Sequence, residues 1–297
     1  MATSENPMFL RQRLRERLKK DRERTGRTQQ HVADRFGWSP SKVIRIENGK
    51  IAVSITDAMA MADFYDLPPE ERDEVIALAR AARGPSWYAP YKEVLTPELE
   101  TYIACEESAS IVRAFERNAM PGLIQTEEYA RALLQTLQGL DGALGERRLE
   151  LQVTLRMQRQ KVLESVDSKF FFILDESVLR RIIGSEAIMR QQRETLLRIS
   201  ELPNVTASYV PFTAGAYPIY RTPYQIFEFD DGDPVAYLEN TDGEAILTER
   251  ASSYSRNSLG PADYLDIFQK LEKDPEKGRN GPAQPLTEES VFGNSSG

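Results

Sequence analysis

The 297-residue chain contains one cysteine and one histidine. With Cys105 alone there is no internal disulfide, which fits a reducing cytoplasm, and the residue reads as a small, buried apolar side chain. With His31 alone there is no histidine cluster to hold a metal. A Gly-x-Ser-x-Gly elbow, a P-loop, a Cys/His ligand set and a dinucleotide fingerprint are all missing. No enzyme, cofactor or metal site is therefore expected. The acidic runs DDGD (230–233) and TDGE (241–244) miss the EF-hand spacing, and each falls between strand candidates as a turn would. Asp175 and Glu176 form an acidic pair after an apolar run, and a helix N-terminus explains them equally well. No apolar stretch approaches the roughly 18–20 residues of a membrane span. The opening MATSENPMFLRQRLRERLKK has no h-region, so it does not read as a secretory signal.

What the chain does have is an uneven distribution of charge. Its net charge is −8, yet residues 1–50 hold 13 Lys/Arg against 6 Asp/Glu, and the remaining 247 hold 25 against 40. A basic N-terminal fifth on an acidic chain points to a nucleic-acid module joined to something that is not one. Taken alone, Arg11 to Arg24 reads equally as the solvated face of a helix. The length suits about two domains. Apolar residues at 40% and charged residues at 28% are those of a globular protein.

Met8 to Arg24 has helical spacing, with Leu10, Leu14 and Leu18 at i, i+4, i+8. Thr28 then reads as the N-cap of a helix over 29–36, where Val32, Ala33 and Phe36 share a face. Gly37 suits a left-handed turn, Ser39 caps a second short helix, and Pro40 sits at N1, where proline loses no hydrogen bond. Val43 and Ile46 face inward, and Gly49 ends that helix. These spacings are those of a helix-turn-helix. On a helical wheel Pro40, Ser41, Ile44, Arg45 and Asn48 point away from the core, flanked by Lys42. That face would enter a major groove, with Arg45 suited to a guanine edge and Ile44 to a thymine methyl. His31 is expected to be an exposed polar residue or an occasional phosphate contact. Ser54 to Tyr65 and Pro68 to Arg83 read as two closing helices, giving a bundle of about five.

The run TQQHVADRFGWSPSKVIRIENGK resembles the helix-turn-helix of the XRE family of phage repressor-like regulators. Its Thr-Gln start, the alanine in its second helix, the turn glycine and the Ile-Glu-Asn-Gly ending carry the likeness. The resemblance implies a phosphate contact from Gln29, base reading from Pro40, Ser41 and Arg45, and a structural ion pair between Arg22 and Glu47. Pro40 departs from the pattern because it has no donor to offer, so readout shifts to Ser41, Ile44 and Arg45.

RGPSWYAPY (83–91) marks a boundary, with Trp87, Tyr88 and Tyr91 either stacking on a ligand or docking a linker. Beyond it, helical stretches (98–107, 145–163, 178–183, 187–200) alternate with five strand candidates: SIVRAFERN, the apolar run 170–174, NVTASYVPF, TPYQIFEFD and PVAYLEN. Thr126 caps a helix whose first turn holds Glu127 and Glu128. The fold class expected is multidomain. An all-α helix-turn-helix bundle spans 1–83, an α+β domain with a mixed sheet of about four or five strands spans 84–275, and a disordered tail spans 276–297.

The run from SWYAPYKEV through PGLIQTEEYARALL, followed in order by RMQRQKVL, LDESVLRRIIG, NVTASYVPFTAGAY and VAYLEN, resembles the domain that follows the helix-turn-helix in WhiJ-like actinobacterial regulators. That resemblance implies a transcriptional regulator, antitoxin-like in some members and paired with a small protein encoded nearby. The function expected is a cytoplasmic, nucleoid-associated regulator that binds double-stranded DNA as a homodimer and represses. Its C-terminal domain would sense a small-molecule effector or bind a partner. An antitoxin-like adaptor that captures a small protein is the alternative.

Overall fold

The computed structural model describes residues 7–47, 53–83, 86–141, 145–218, 221–230, 233–240, 243–247, 259–274 and 279–293. They divide into two compact units, Met1–Pro90 and Tyr91–Gly297. The division falls past the boundary expected at 83/84. The WYAPY stretch reads as a linker by composition, but Tyr88 is buried, as an aromatic ring in a packed segment is.

The first unit holds α1 (Pro7–Arg24), α2 (Gln29–Phe36), α3 (Pro40–Glu47), α4 (Ile55–Phe64) and α5 (Pro69–Ala81). Leu14 and Leu18 of α1 meet Val32 and Ala33 of α2, Val43 of α3, Met61 and Ala62 of α4, and Val75 and Ala79 of α5 in one buried cluster. Gly37 adopts the expected left-handed conformation, with φ 64°, and its N–H closes α2 onto the Ala33 carbonyl. Ser39 Oγ accepts from Lys42 N at 3.2 Å, which starts α3 three residues after α2 ends.

The second unit is a mixed sheet with helices on both faces. α6 (Pro97–Ser108) leads into β1 (Ile111–Glu116); α7 (Glu127–Asp141) and α8 (Glu146–Arg159) connect it to β2 (Lys169–Asp175). α9 (Glu176–Arg180) and α10 (Glu186–Ser200) connect β2 to β3 (Val205–Val210). β1, β2 and β3 run parallel, which is why each connection carries helices. β4 (Tyr224–Glu228), β5 (Val235–Asn240) and β6 (Gly243–Leu247) follow as an antiparallel meander on the other side of β1. On one face α11 (Pro261–Leu271) packs Tyr264, Phe268 and Leu271 against Phe115, Tyr224, Ile226 and Leu238. On the other, Tyr102 of α6 meets Phe227 and Tyr237 edge-on. Cover on both faces explains the uninterrupted apolar run of β2.

Residues 279–293 correct the expectation of disorder over 276–297; 276–278 and 294–297 lie outside the described residues. β7 (Lys273–Asp274) and β8 (Arg279–Asn280) pair with each other, and β9 (Gln284–Pro285) adds a seventh strand to the sheet at the edge of β3. α12 (Glu288–Phe292) follows, capped by Thr287. The segment is polar on average, but Ala283 and Val291 are buried, and Arg180 Nη2 donates to the Ser290 carbonyl at 3.0 Å. Gly281 lies so close to the Leu271 carbonyl that a Cβ would collide with it. The sheet exceeds the expected four or five strands by β6, whose Gly-Glu-Ala-Ile-Leu does not alternate, and by β9, whose two residues are too few to carry a period-2 signal.

Candidate nucleic-acid interface

The helix-turn-helix is held by one buried ion pair. Arg22 Nε donates to Glu47 Oε1 at 2.6 Å and Nη2 donates to Oε2 at 3.1 Å, so the end of α1 grips the last turn of α3. Both side chains are less than a tenth exposed. Burial pulls the Arg22 guanidinium toward neutrality, but the hydrogen bond and charge of Glu47 outweigh it and hold its pKa above the ordinary value. Gln29 Nε2 donates to Glu47 Oε2 at 2.7 Å. The residue expected to contact phosphate is thus tied to the pair that positions α3. His31 has a role that spacing did not reveal. Its Nδ1 accepts from the Thr28 N–H while Thr28 Oγ1 accepts from the His31 N–H, a capping box with imidazole in place of a carboxylate.

Pro40, Ser41, Ile44 and Arg45 are exposed on α3, opposite the buried Val43 and Ile46. Lys42, at the flank, lies 3.5 Å over the Trp38 ring, a cation–π contact that fixes its direction. Asn48 and Gly49 lie outside the described residues. Over residues 1–90 the count is 16 Lys/Arg against 13 Asp/Glu, so the basic excess of the first fifty residues is mostly offset by the acidic α4 and α5. The offset is local. Arg17 and Arg24 pair with Glu71, and Arg27 with Asp66, away from α3. The two arginines hold the Glu71 carboxyl below the ordinary range. Arg35, Lys42 and Arg45, on α2 and α3, make no ion pair among the described residues.

In the second unit, the loop Pro-Gly-Leu-Ile-Gln-Thr (121–126) is clamped by amide side chains. Gln125 Nε2 donates to the Met120 carbonyl at 2.7 Å, and Gln160 Nε2 donates to the carbonyls of Gly122 and Gln125. Gln192, fully buried, accepts from Thr126 N and donates to the Ile124 carbonyl, both at 2.7 Å. These bonds satisfy the Met120 carbonyl and backbone groups of the Pro-Gly-Leu-Ile-Gln-Thr loop that follows it, which helix and sheet leave open. Beside it, Arg159 makes a two-pronged pair with Glu106, at 2.9 and 2.8 Å.

Asp175 and Glu176 serve local structure, as a helix start requires. Asp175 caps α9 through Ser177 N at 2.9 Å and accepts from Tyr217 Oη, while Glu176 accepts from Phe212 N and pairs with Arg180. DDGD and TDGE lie partly outside the described residues, and no group of three metal-ligating side chains occurs among those described. Burial pushes the Cys105 thiol up to about 12, so the thiolate is scarce at neutral pH. Cys105 is accordingly expected to resist iodoacetamide in the folded chain and to react fully in denaturant; mass spectrometry showing rapid native labelling would contradict that burial. No helix among the described residues is long and apolar enough to cross a membrane.

Residues 13–75 match the family model described as a helix-turn-helix domain. Residues 99–258, more than half of the chain, match the one described as a domain of unknown function, DUF5753. No curated protein and no solved structure matches the chain.

Proposed function

We propose that this chain, which belongs to the DUF5753 family and carries a helix-turn-helix domain ahead of it, is a sequence-specific DNA-binding regulator of the XRE, WhiJ-like type. The observation that carries the reading is the outward face of α3. Ser41, Ile44 and Arg45 stand exposed on a helix whose inner face and far end are locked into the core, with Lys42 at their flank. A guanidinium so placed makes two hydrogen bonds to a guanine edge, and Ile44 meets a thymine methyl. One small module buries too little for tight binding, so the chain acts as a homodimer on two half-sites and represses by occupying them. The C-terminal unit senses an effector; the protein is a binder rather than an enzyme.

The test is a binding titration on an operator selected from random DNA. Arg45→Ala is expected to weaken the selected site by roughly 1–3 kcal/mol and to relax sequence preference. Equal losses on selected and random DNA would remove Arg45 from base readout. The acidic balance of residues 51–297 favours a second reading, in which that part captures a basic face of a small protein encoded nearby. Co-purification with that protein supports the adaptor reading, and its absence counts against it.

A further inference from the structure

An open cleft of about 1020 Å³ lies in the C-terminal unit, past the carboxyl end of β1. It is at the upper end of the roughly 300–1,000 Å³ common for small-molecule sites. It also lies where ligands collect in parallel sheets, beyond the carboxyl ends of the strands. Four arginines line it, Arg156, Arg159, Arg181 and Arg221, against the single acidic residue Glu116. Arg159 is balanced by the buried Glu106, which lies behind the wall. The remaining three still exceed Glu116, so the cleft is electropositive within a unit that is acidic overall.

The other wall is apolar. Leu133 and Leu137 of α7 and Ile183 after α9 line it, and Leu137 is half exposed. A large aliphatic side chain left open to water inside a concave site is the signature of an apolar ligand surface. The polar wall is fixed before any ligand arrives. Arg156 Nη1 donates to Gln125 Oε1 at 2.9 Å, and Gln125 is itself held by the Met120 carbonyl. Tyr102 Oη donates to Gln225 Oε1 at 2.5 Å, with Arg159 stacked 4.7 Å from its ring. The clamped Pro-Gly-Leu-Ile-Gln-Thr loop therefore forms part of a preorganised pocket, which lowers the ordering cost of binding.

We propose that this cleft binds a small amphipathic anion, an apolar body of several carbons bearing a phosphate or carboxylate, with the anionic group on the Arg156, Arg181 and Arg221 side and the apolar body on Leu133, Leu137 and Ile183. The inference deepens the sensing role proposed for the C-terminal unit, and the occupancy of the cleft is measured without DNA.

Calorimetry on the full chain, with decyl phosphate, decanoate, inorganic phosphate and decanol as probes below any micelle concentration, tests it. One-to-one binding is expected for decyl phosphate, decanoate or both, and the pair reports which anion is preferred. Inorganic phosphate and decanol should each bind at least about tenfold more weakly, since each meets half of the site. Arg181→Gln/Arg221→Gln should weaken the amphipathic probe about tenfold or more, and Leu137→Asn should do so from the opposite wall, both with unchanged melting of the free protein. Failure of both amphipathic probes to bind, binding by inorganic phosphate as tight as by decyl phosphate, multiple stoichiometry, or indifference to both variants would overturn the assignment. A DNA titration with the bound probe then separates the two proposals: one-to-one binding with no change in DNA affinity keeps the site and overturns the sensing role.

Discussion

Replacing Glu47 by alanine is expected to cost the N-terminal unit about 3–5 kcal/mol, because it leaves the buried Arg22 guanidinium with only the exposed Glu23 carboxylate, at 3.3 Å, as a counter-charge. Domains of this size hold roughly 5–15 kcal/mol in total, so a large share of the stability would go with one side chain. Three groups meet at Glu47: both prongs of Arg22 and the Gln29 amide. Gln29 is partly exposed and finds water instead, but Arg22 does not. The pair Arg22→Met/Glu47→Leu should cost less than Glu47→Ala alone, since apolar side chains of similar volume remove both charges from the interior together. The two tryptophans, Trp38 and Trp87, both lie in the first unit, so urea unfolding followed by tryptophan fluorescence reports on that unit. A loss under about 1 kcal/mol for Glu47→Ala would mean that the pair behaves as a surface contact. DNA binding should fall with the folded fraction and on all sequences alike, unlike the selective loss expected for Arg45→Ala.

The parts of this molecule that were legible in the sequence are those governed by local spacing. α1 to α5 follow from leucine and valine intervals, from Thr28 and Ser39 as caps, and from Gly37 in the left-handed region. The outward set Pro40, Ser41, Ile44 and Arg45 follows from the same periodicity, because 3.6 residues per turn fixes which side chains cannot reach the core. β1 to β5 were readable for the same reason. The glutamine clamp was not: Gln160 and Gln192 bind a loop some 35 to 68 residues earlier, and nothing in an isolated amide records its partner. The engagement of Gln29 by Glu47 is likewise a tertiary event that a phosphate role does not anticipate. The ordered tail was hidden by composition. Two buried apolar side chains, a glycine seated against a carbonyl and an open edge on β3 outweigh its many polar residues. The cleft was illegible for a further reason, since its arginines come from α8, the end of α9 and the approach to β4 and converge only in the fold.

Arg159→Met is expected to destabilise the C-terminal unit by about 3–5 kcal/mol and to leave the N-terminal unit as it was. The Glu106 side chain is 1% exposed and takes both of its charged hydrogen bonds from Arg159, so methionine would strand a carboxylate in the interior. Methionine also removes the guanidinium from the Tyr102 ring, a contact worth roughly 0.5–2 kcal/mol. Burial and the nearby Glu106 already hold the Tyr102 hydroxyl well above its ordinary pKa, so it remains a neutral donor to Gln225 and cannot take over the counter-charge. Arg159→Lys separates charge from geometry. An ammonium keeps the charge but loses the fork that matches both carboxylate oxygens, so an intermediate loss is expected. Arg159→Met/Glu106→Leu should again cost less than the single change. Scanning calorimetry gives the loss, and tryptophan fluorescence is the control, because its transition belongs to the other unit. If Arg159→Lys were as stable as the unmodified chain, the pair would act through charge alone and its geometry would be incidental. If it were as damaged as Arg159→Met, the planar fork itself would be what holds α8 to α6 beside the cleft.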